Sequence, residues 1–185
     1  MSLSVFTIVP VLALAYVLGV CPSNAFSVND CMSDGRYNAD NVIHVSEASI
    51  DPSYFVAPGV VSAKVNFEIL QNVTSDLDLS VHVMKKVWWF WATGHRSTRS
   101  LCETLDTAFL EDDGTTNCPS ELSSAGIPCR CPFRRGRYSL PWTSFDLIKP
   151  DDVPYGKYWV EARLTDPFTG VLKGCHNAEF YISSY

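Results

Sequence analysis

Between Val61 and Ile69 apolar and polar residues alternate without a break. Val61, Ala63, Val65, Phe67 and Ile69 share one parity, and Ser62, Lys64, Asn66 and Glu68 the other. Successive side chains of a strand point to opposite faces, so this pattern predicts a strand with one buried face and one wet face. Leu77, Leu79, Val81 and Val83 alternate with Asp78, Ser80 and His82 and predict a second strand. The polar residues Gln71, Asn72, Thr74, Ser75 and Asp76 between them predict a turn, and the two strands together a hairpin. Tyr158, Val160, Ala162 and Leu164 predict a further strand, Asp166–Gly170 a turn, and Ala178, Phe180 and Ile182 the last strand. Asn41–Val45 reads as a short first strand, and Val87–Trp91 as a fourth or as an extension of the second. Helix signals are few: Leu101, Leu105 and Phe109 recur at four-residue spacing within Ser100–Phe109, and Pro119–Leu122 can begin another short helix. Many short strands with regular turn signals predict an all-β sandwich or barrel.

The first stretch stands outside that pattern. Val5 to Val20 is almost wholly apolar, interrupted at Pro10, and is followed by Ser23-Asn24-Ala25. This predicts a signal peptide over 1–25, with one domain over 26–185. The run is short for a bilayer span and no basic cluster follows it. Of the seven cysteines, Cys21 leaves with the leader. The remaining Cys31, Cys102, Cys118, Cys129, Cys131 and Cys175 are even in number, which in a small secreted domain predicts a disulfide framework. Six cysteines allow 15 pairings, and counting does not choose among them. A metal site is not expected, because Cys129-Arg130-Cys131 has a single intervening residue and His176 is the only imidazole near a cysteine in sequence. Asn72-Val73-Thr74 is a glycan acceptor placed in an expected turn. The formal net charge of −6 lies entirely in the mature chain and argues against general nucleic-acid binding. Such a charge weakens as pH falls, which suits an acidic lumen.

No catalytic motif stands out. The chain has no Gly-x-Ser-x-Gly elbow, no phosphate loop and no His-Glu-x-x-His. His44, His82, His95 and His176 are scattered, with His82 on the polar parity of its strand, and Asp112-Asp113 lie in a loop. The aromatic run Trp88-Trp89-Phe90-Trp91 is more informative. On a strand two of these rings face outward, and exposed aromatic clusters mark binding or membrane-contact surfaces. Lys85 and Lys86 precede the run and His95, Arg96 and Arg99 follow it; Arg130, Arg134, Arg135 and Arg137 form a second basic group. Basic residues beside exposed rings suit an anionic membrane. Lys85, Lys86, Trp88, Trp89, Phe90, Trp91, Arg134 and Arg135 are therefore the expected membrane contacts.

The segment Gly126-Ile127-Pro128-Cys129-Arg130-Cys131-Pro132-Phe133, followed by Gly136-Arg137-Tyr138-Ser139-Leu140-Pro141, closely resembles the ganglioside-activator branch of the ML lipid-recognition family. Phe26–Cys31 resembles the family's mature start, Cys102–Asp106 its Cys-x-x-Leu-Asp segment, and Gly156–Tyr158 and Gly174-Cys175 its closing hairpin. Where the family has a further disulfide, this chain has its tryptophan-rich stretch. The resemblance implies a two-sheet β-sandwich opened into a β-cup with an apolar lipid cavity, and short helical and loop segments at the mouth. It implies the pairings Cys31–Cys175, Cys102–Cys131 and Cys118–Cys129. It implies a cavity lined by Val65, Phe67, Leu79, Val81, Tyr158 and Val160, with Phe109, Leu122 and Ile127 near the mouth. It also implies a non-catalytic role without a cofactor: lifting a lipid, a glycosphingolipid first of all, from a membrane in a lysosomal or extracellular lumen and presenting it to a soluble hexosaminidase. A carrier of a phospholipid, fatty acid or sterol, or a secreted immune-type recognition module, is the alternative.

Overall fold

The computed structural model describes residues 26–32, 40–109, 114–115, 117–148 and 153–184. The expected signal peptide and the Asp112-Asp113 loop lie outside them. Among the described residues nine strands and two short helices follow one another along the chain. The strands are β1 (Ser27–Asp30), β2 (Ile43–Asp51), β3 (Phe55–Val56), β4 (Gly59–Ile69), β5 (Asp78–Val87), β6 (Phe90–Ser100), β7 (Gly136–Leu147), β8 (Gly156–Thr165) and β9 (Leu172–Ser183). Helices α1 (Leu101–Phe109) and α2 (Ser120–Ser124) lie between β6 and β7.

The strands form two sheets. The larger has the order β1-β9-β8-β5-β6, with β3 added in parallel beside β9; the smaller has the order β2-β4-β7. Every strand with a clean apolar parity buries it: Val61, Val65, Phe67 and Ile69 from β4, Leu79 and Val81 from β5, and Tyr158, Val160, Ala162 and Leu164 from β8 all enter one core. Leu101, Leu105 and Phe109 of α1 join the same core, as their spacing predicts.

The expected hairpin between Val61–Ile69 and Leu77–Val83 does not form. β4 belongs to the smaller sheet and β5 to the larger, so residues 70–77 cross from one layer to the other. Alternation specifies that each strand has an apolar face, and two such faces are buried equally well by stacking as by lateral pairing. Val87–Trp91 is not a strand either: Trp88-Trp89 is the two-residue turn of the β5–β6 hairpin, with Val87 paired to Phe90. Strands β1, β3, β6 and β7 have no clean alternation. β6 is solvated on both faces over most of its length. In β7 the period slips where Pro141-Trp142 oppose the single residue Lys64, a bulge on an edge strand where proline's missing N–H costs nothing.

Three disulfides brace the fold: Cys31–Cys175, Cys102–Cys131 and Cys118–Cys129. The first ties β1 to β9 across 144 residues of sequence, the last closes a separation of 11. Loop-closure entropy then assigns about 5 kcal/mol to the first and about 3 kcal/mol to the last. In denaturant titrations, Cys31→Ser/Cys175→Ser is expected to lose clearly more stability than Cys118→Ser/Cys129→Ser. Equal losses would mean that native packing, rather than chain restriction, sets the contribution of each bridge.

Candidate functional site

The two sheets are joined by backbone along the side where β2 adjoins β9. There the Val42 amide donates to the Lys173 carbonyl at 2.8 Å, and Gly174 lies so close to Ile43 that a Cβ would sit 3.2 Å from its Cγ2. His176 is buried in this seam, only 4% exposed. Burial pushes its imidazole down to about 4; Asp30 opposes the shift and His44 adds to it. On the opposite side β6 and β7 are the terminal strands of their sheets and do not pair. The segment 101–135, with both helices, crosses from β6 to β7 at one end of this open side, and the β5–β6 turn stands at the other.

All nine residues expected to line a cavity fall in the shared core: Val65, Phe67, Leu79, Val81, Phe109, Leu122, Ile127, Tyr158 and Val160. Phe67 stacks on Tyr138 of β7 at 5.1 Å, and Tyr158 on Phe180 of β9 at 5.8 Å. The Tyr158 hydroxyl donates to the Pro154 carbonyl, and burial pushes its pKa up. The interior between the sheets is thus apolar side chains with few polar atoms.

The expected membrane residues separate into two groups. Trp88 and Trp89 are 82% and 81% exposed at the turn, packed edge to face at 5.8 Å. Phe90 is exposed beside them, while Trp91 is half-buried beneath the Lys86 ammonium at 5.7 Å. Lys85 is half-buried on the interior side, level with Tyr158. Arg134 and Arg135 are exposed but lie at the other end of the strands, just before the Gly136–Ile69 pair. The Arg135 amide donates to the Asn72 Oδ1 at 2.7 Å, so a glycan on the exposed Asn72 would sit against this second group.

Sequence reasoning missed other residues at the tryptophan end. Tyr54, Val60, Ile148, Tyr155 and Tyr181 are all large, apolar and exposed, and all lie in or beside the loops at that end. The Tyr155 hydroxyl donates to the Ala57 carbonyl at 3.4 Å, and Gly156 approaches the Lys85 side chain, so these loops adjoin the β5–β6 hairpin. The available signal was aromatic residues in proline-containing stretches such as Pro52-Ser53-Tyr54 and Pro154-Tyr155, outside any alternating run. The basic residues expected around the tryptophans are gathered on one hairpin. From Leu79 to Ser100 the chain has no Asp or Glu but has Lys85, Lys86, Arg96 and Arg99, although the whole chain is at −6. His82, expected on a wet face, is partly covered there by Trp159 at 5.9 Å and by Arg96, and its Nε2 is buried without a partner.

Cys31, Cys175 and Glu161 bring potential ligand atoms within 4.8 Å of one another, but the two sulfurs are bonded together and supply no thiolate. Among the described residues no helix is long and apolar enough to cross a membrane.

Two antiparallel-rich sheets packed face to face, stitched along one side and open along the other, define an open β-sandwich with an apolar interior. The ML domain family model matches residues 25–182, and the chain belongs to that family. The ganglioside GM2 activator of Mus musculus is 28% identical over 141 residues, covering 71% of this chain and 70% of its own length. That of Macaca fascicularis is 27% identical over 183 residues, covering 90% of this chain and 91% of its own. Among solved structures, chicken MD-1 complexed with lipid IVa aligns with a TM-score of 0.43 and 13% identity, over 88% of this chain and 94% of that one.

The seam makes a pH prediction. The unfolded His176 takes up a proton near pH 6.5, while the folded one resists until about 4. Its contribution is therefore complete above pH 6.5 and is lost as pH falls toward 4, by up to about 3 kcal/mol. Denaturant unfolding between pH 7 and 4 should show this slope, and His176→Gln should flatten it. An unchanged slope in the variant would place the acid sensitivity elsewhere.

Proposed function

We propose that the protein is a secreted, non-catalytic lipid carrier of the activator type. It docks on an anionic membrane through its aromatic end, draws a glycosphingolipid between its sheets and presents it to a soluble glycosidase of the hexosaminidase type. The observation that carries this reading is the cluster of exposed rings around the β5–β6 turn of an open apolar sandwich, against which, among the described residues, the other end exposes the single ring of Phe168 in the β8–β9 turn. Each methylene kept out of water is worth about 0.8 kcal/mol, so a two-tailed lipid leaves a bilayer only for an apolar space of comparable extent. Val65, Phe67, Leu79, Val81, Phe109, Leu122, Ile127, Tyr158 and Val160 offer apolar surface to such tails. The names of the mammalian relatives support the activator role.

The turn supports membrane contact on energetic grounds. Trp88 has φ +58°, a left-handed conformation that costs a bulky residue about 1–2 kcal/mol and that hairpin turns usually assign to glycine. Fold stability does not explain two tryptophans there, whereas indole prefers the bilayer interface. Lys85, Lys86, Trp88, Trp89, Phe90 and Trp91 are the proposed contacts. Arg134 and Arg135 stand at the opposite end, and a glycan at Asn72 would hold that end in water. Three disulfides and the leader over 1–25 favour passage through the secretory pathway to a lysosomal or extracellular lumen.

Sedimentation with anionic liposomes tests the docking surface. Wild-type protein is expected to bind, less in high salt, and Trp88→Ala/Trp89→Ala to lose most of the binding. Trp88→Gly should also bind less while melting at a higher temperature, with a gain of about 1 kcal/mol from relief of the left-handed strain. If the variants bind as well as wild type, the rings serve another purpose. Mass spectrometry of co-purified lipid identifies the cargo, and a phospholipid, fatty acid or sterol alone would overturn the glycosphingolipid assignment.

A further inference from the structure

The inner face of the larger sheet changes character in its last column. On β5 it carries Leu79, Val81 and Val83, and on β8 the apolar partners Leu164, Ala162 and Val160. On β6 the residues in register with Leu79, Val81 and Val83 are Arg99, Ser97 and His95. Directly paired residues share a face, so these three polar side chains stand on the apolar side of the sheet. β6 borders the open side, and Arg99 and His95 are exposed there. Their neighbours on the outer face are engaged instead with β5: the Thr98 and Ser80 hydroxyls are 2.8 Å apart, and Arg96 Nη2 is 3.4 Å from His82 Nδ1. Among the described residues Arg99 makes no ion pair.

A charge on the inner face of an edge strand also guards against pairing with other sheets. Such a guard is most often a lysine, whereas this face carries Arg99 with His95 and Ser97. Here the hairpin carries cations only, from Leu79 to Ser100, in a chain of net charge −6. Arginine presents a planar fork of donors matched to phosphate, sulfate or carboxylate, and serine and histidine add hydrogen bonds without negative charge.

We propose that His95, Ser97 and Arg99 form a headgroup site for the anionic oxygen group of a lipid whose tails enter the interior beside Val81 and Val160. This rests on the lipid-carrier reading and adds to it a preference for acidic headgroups. Specificity then resides on β6, apart from the membrane-docking turn.

Capture of tail-labelled phosphatidylglycerol and phosphatidylcholine with identical short tails tests the site. The lipids are presented below their critical micelle concentrations, so no membrane surface takes part. Wild-type protein is expected to prefer phosphatidylglycerol. Arg99→Gln should weaken phosphatidylglycerol about tenfold and leave phosphatidylcholine unchanged, as loss of one charge-assisted contact requires. Arg99→Lys should keep part of the preference, and Arg96→Gln, on the outer face, should change neither lipid. If Arg99→Gln affects both lipids equally, or neither, the headgroup site is overturned while the carrier reading stands. If wild-type protein captures neither lipid, the carrier reading fails and this site with it. Inorganic phosphate is the further probe: displacement of phosphatidylglycerol only at high millimolar concentration fits a headgroup site, and tight binding of phosphate alone would reassign it to a free anion.

Discussion

The apolar inner faces of two unequal sheets must be kept from water, and they lie against each other and against the segment between β6 and β7 that carries both helices. One sheet is built around β8 and β5, the other around β4. Along the β2–β9 seam the layers are drawn close enough for a backbone hydrogen bond to pass between them. Along the β6–β7 side no strand pairing closes the gap, and the crossing segment with its two disulfides braces only one end. A sandwich closed on one side can part on the other without breaking any ladder. Such a hinge-like arrangement suits a fold that must admit apolar cargo.

The two ends of the strands differ in their chemistry, although the second also exposes Phe168 in the β8–β9 turn. At one end lie the β5–β6 turn and the loops bearing Tyr54, Ile148 and Tyr155. At the other lie Asn72, Arg134 and Arg135, fastened together by the hydrogen bond from the Arg135 amide to the Asn72 side chain. Exposed rings cost solubility, and the left-handed Trp88 costs conformational energy as well. At Trp88 a strained backbone and an exposed apolar ring coincide, a combination that fold stability does not explain.

Charge follows the same division of labour. The protein as a whole is acidic, so it is kept from adhering indiscriminately to anionic surfaces, while the β5–β6 hairpin from Leu79 to Ser100 carries only cations. The hairpin's outer face ties its charges into β5, through Arg96 and His82. Its inner face leaves Arg99 beside an apolar column. The proposed membrane contact and the proposed headgroup site thus fall on different parts of one element, the first at its turn and the second along its edge strand.

Much of this architecture was legible in the residues. Alternation located the strands built on Val65 and Phe67, on Leu79 and Val81, and on Tyr158 and Val160, because each has one buried face and a period of two reports that directly. The four-residue spacing of Leu101, Leu105 and Phe109 located the helix for the same reason. The sequence did not determine which strands share a sheet: β4 and β5 are neighbours in the chain and lie in different layers, since an apolar face is satisfied by stacking or by pairing alike. Nor could it reveal β6, whose faces are both solvated and so leave no periodic trace. The position of Trp88 and Trp89 in a turn, the distance of Arg134 and Arg135 from them, and the meeting of Arg99 with Leu79 are all matters of register. Register follows the apolar pattern and the turn geometry, and β6 has no apolar parity to report it, so only the tertiary structure decided these placements.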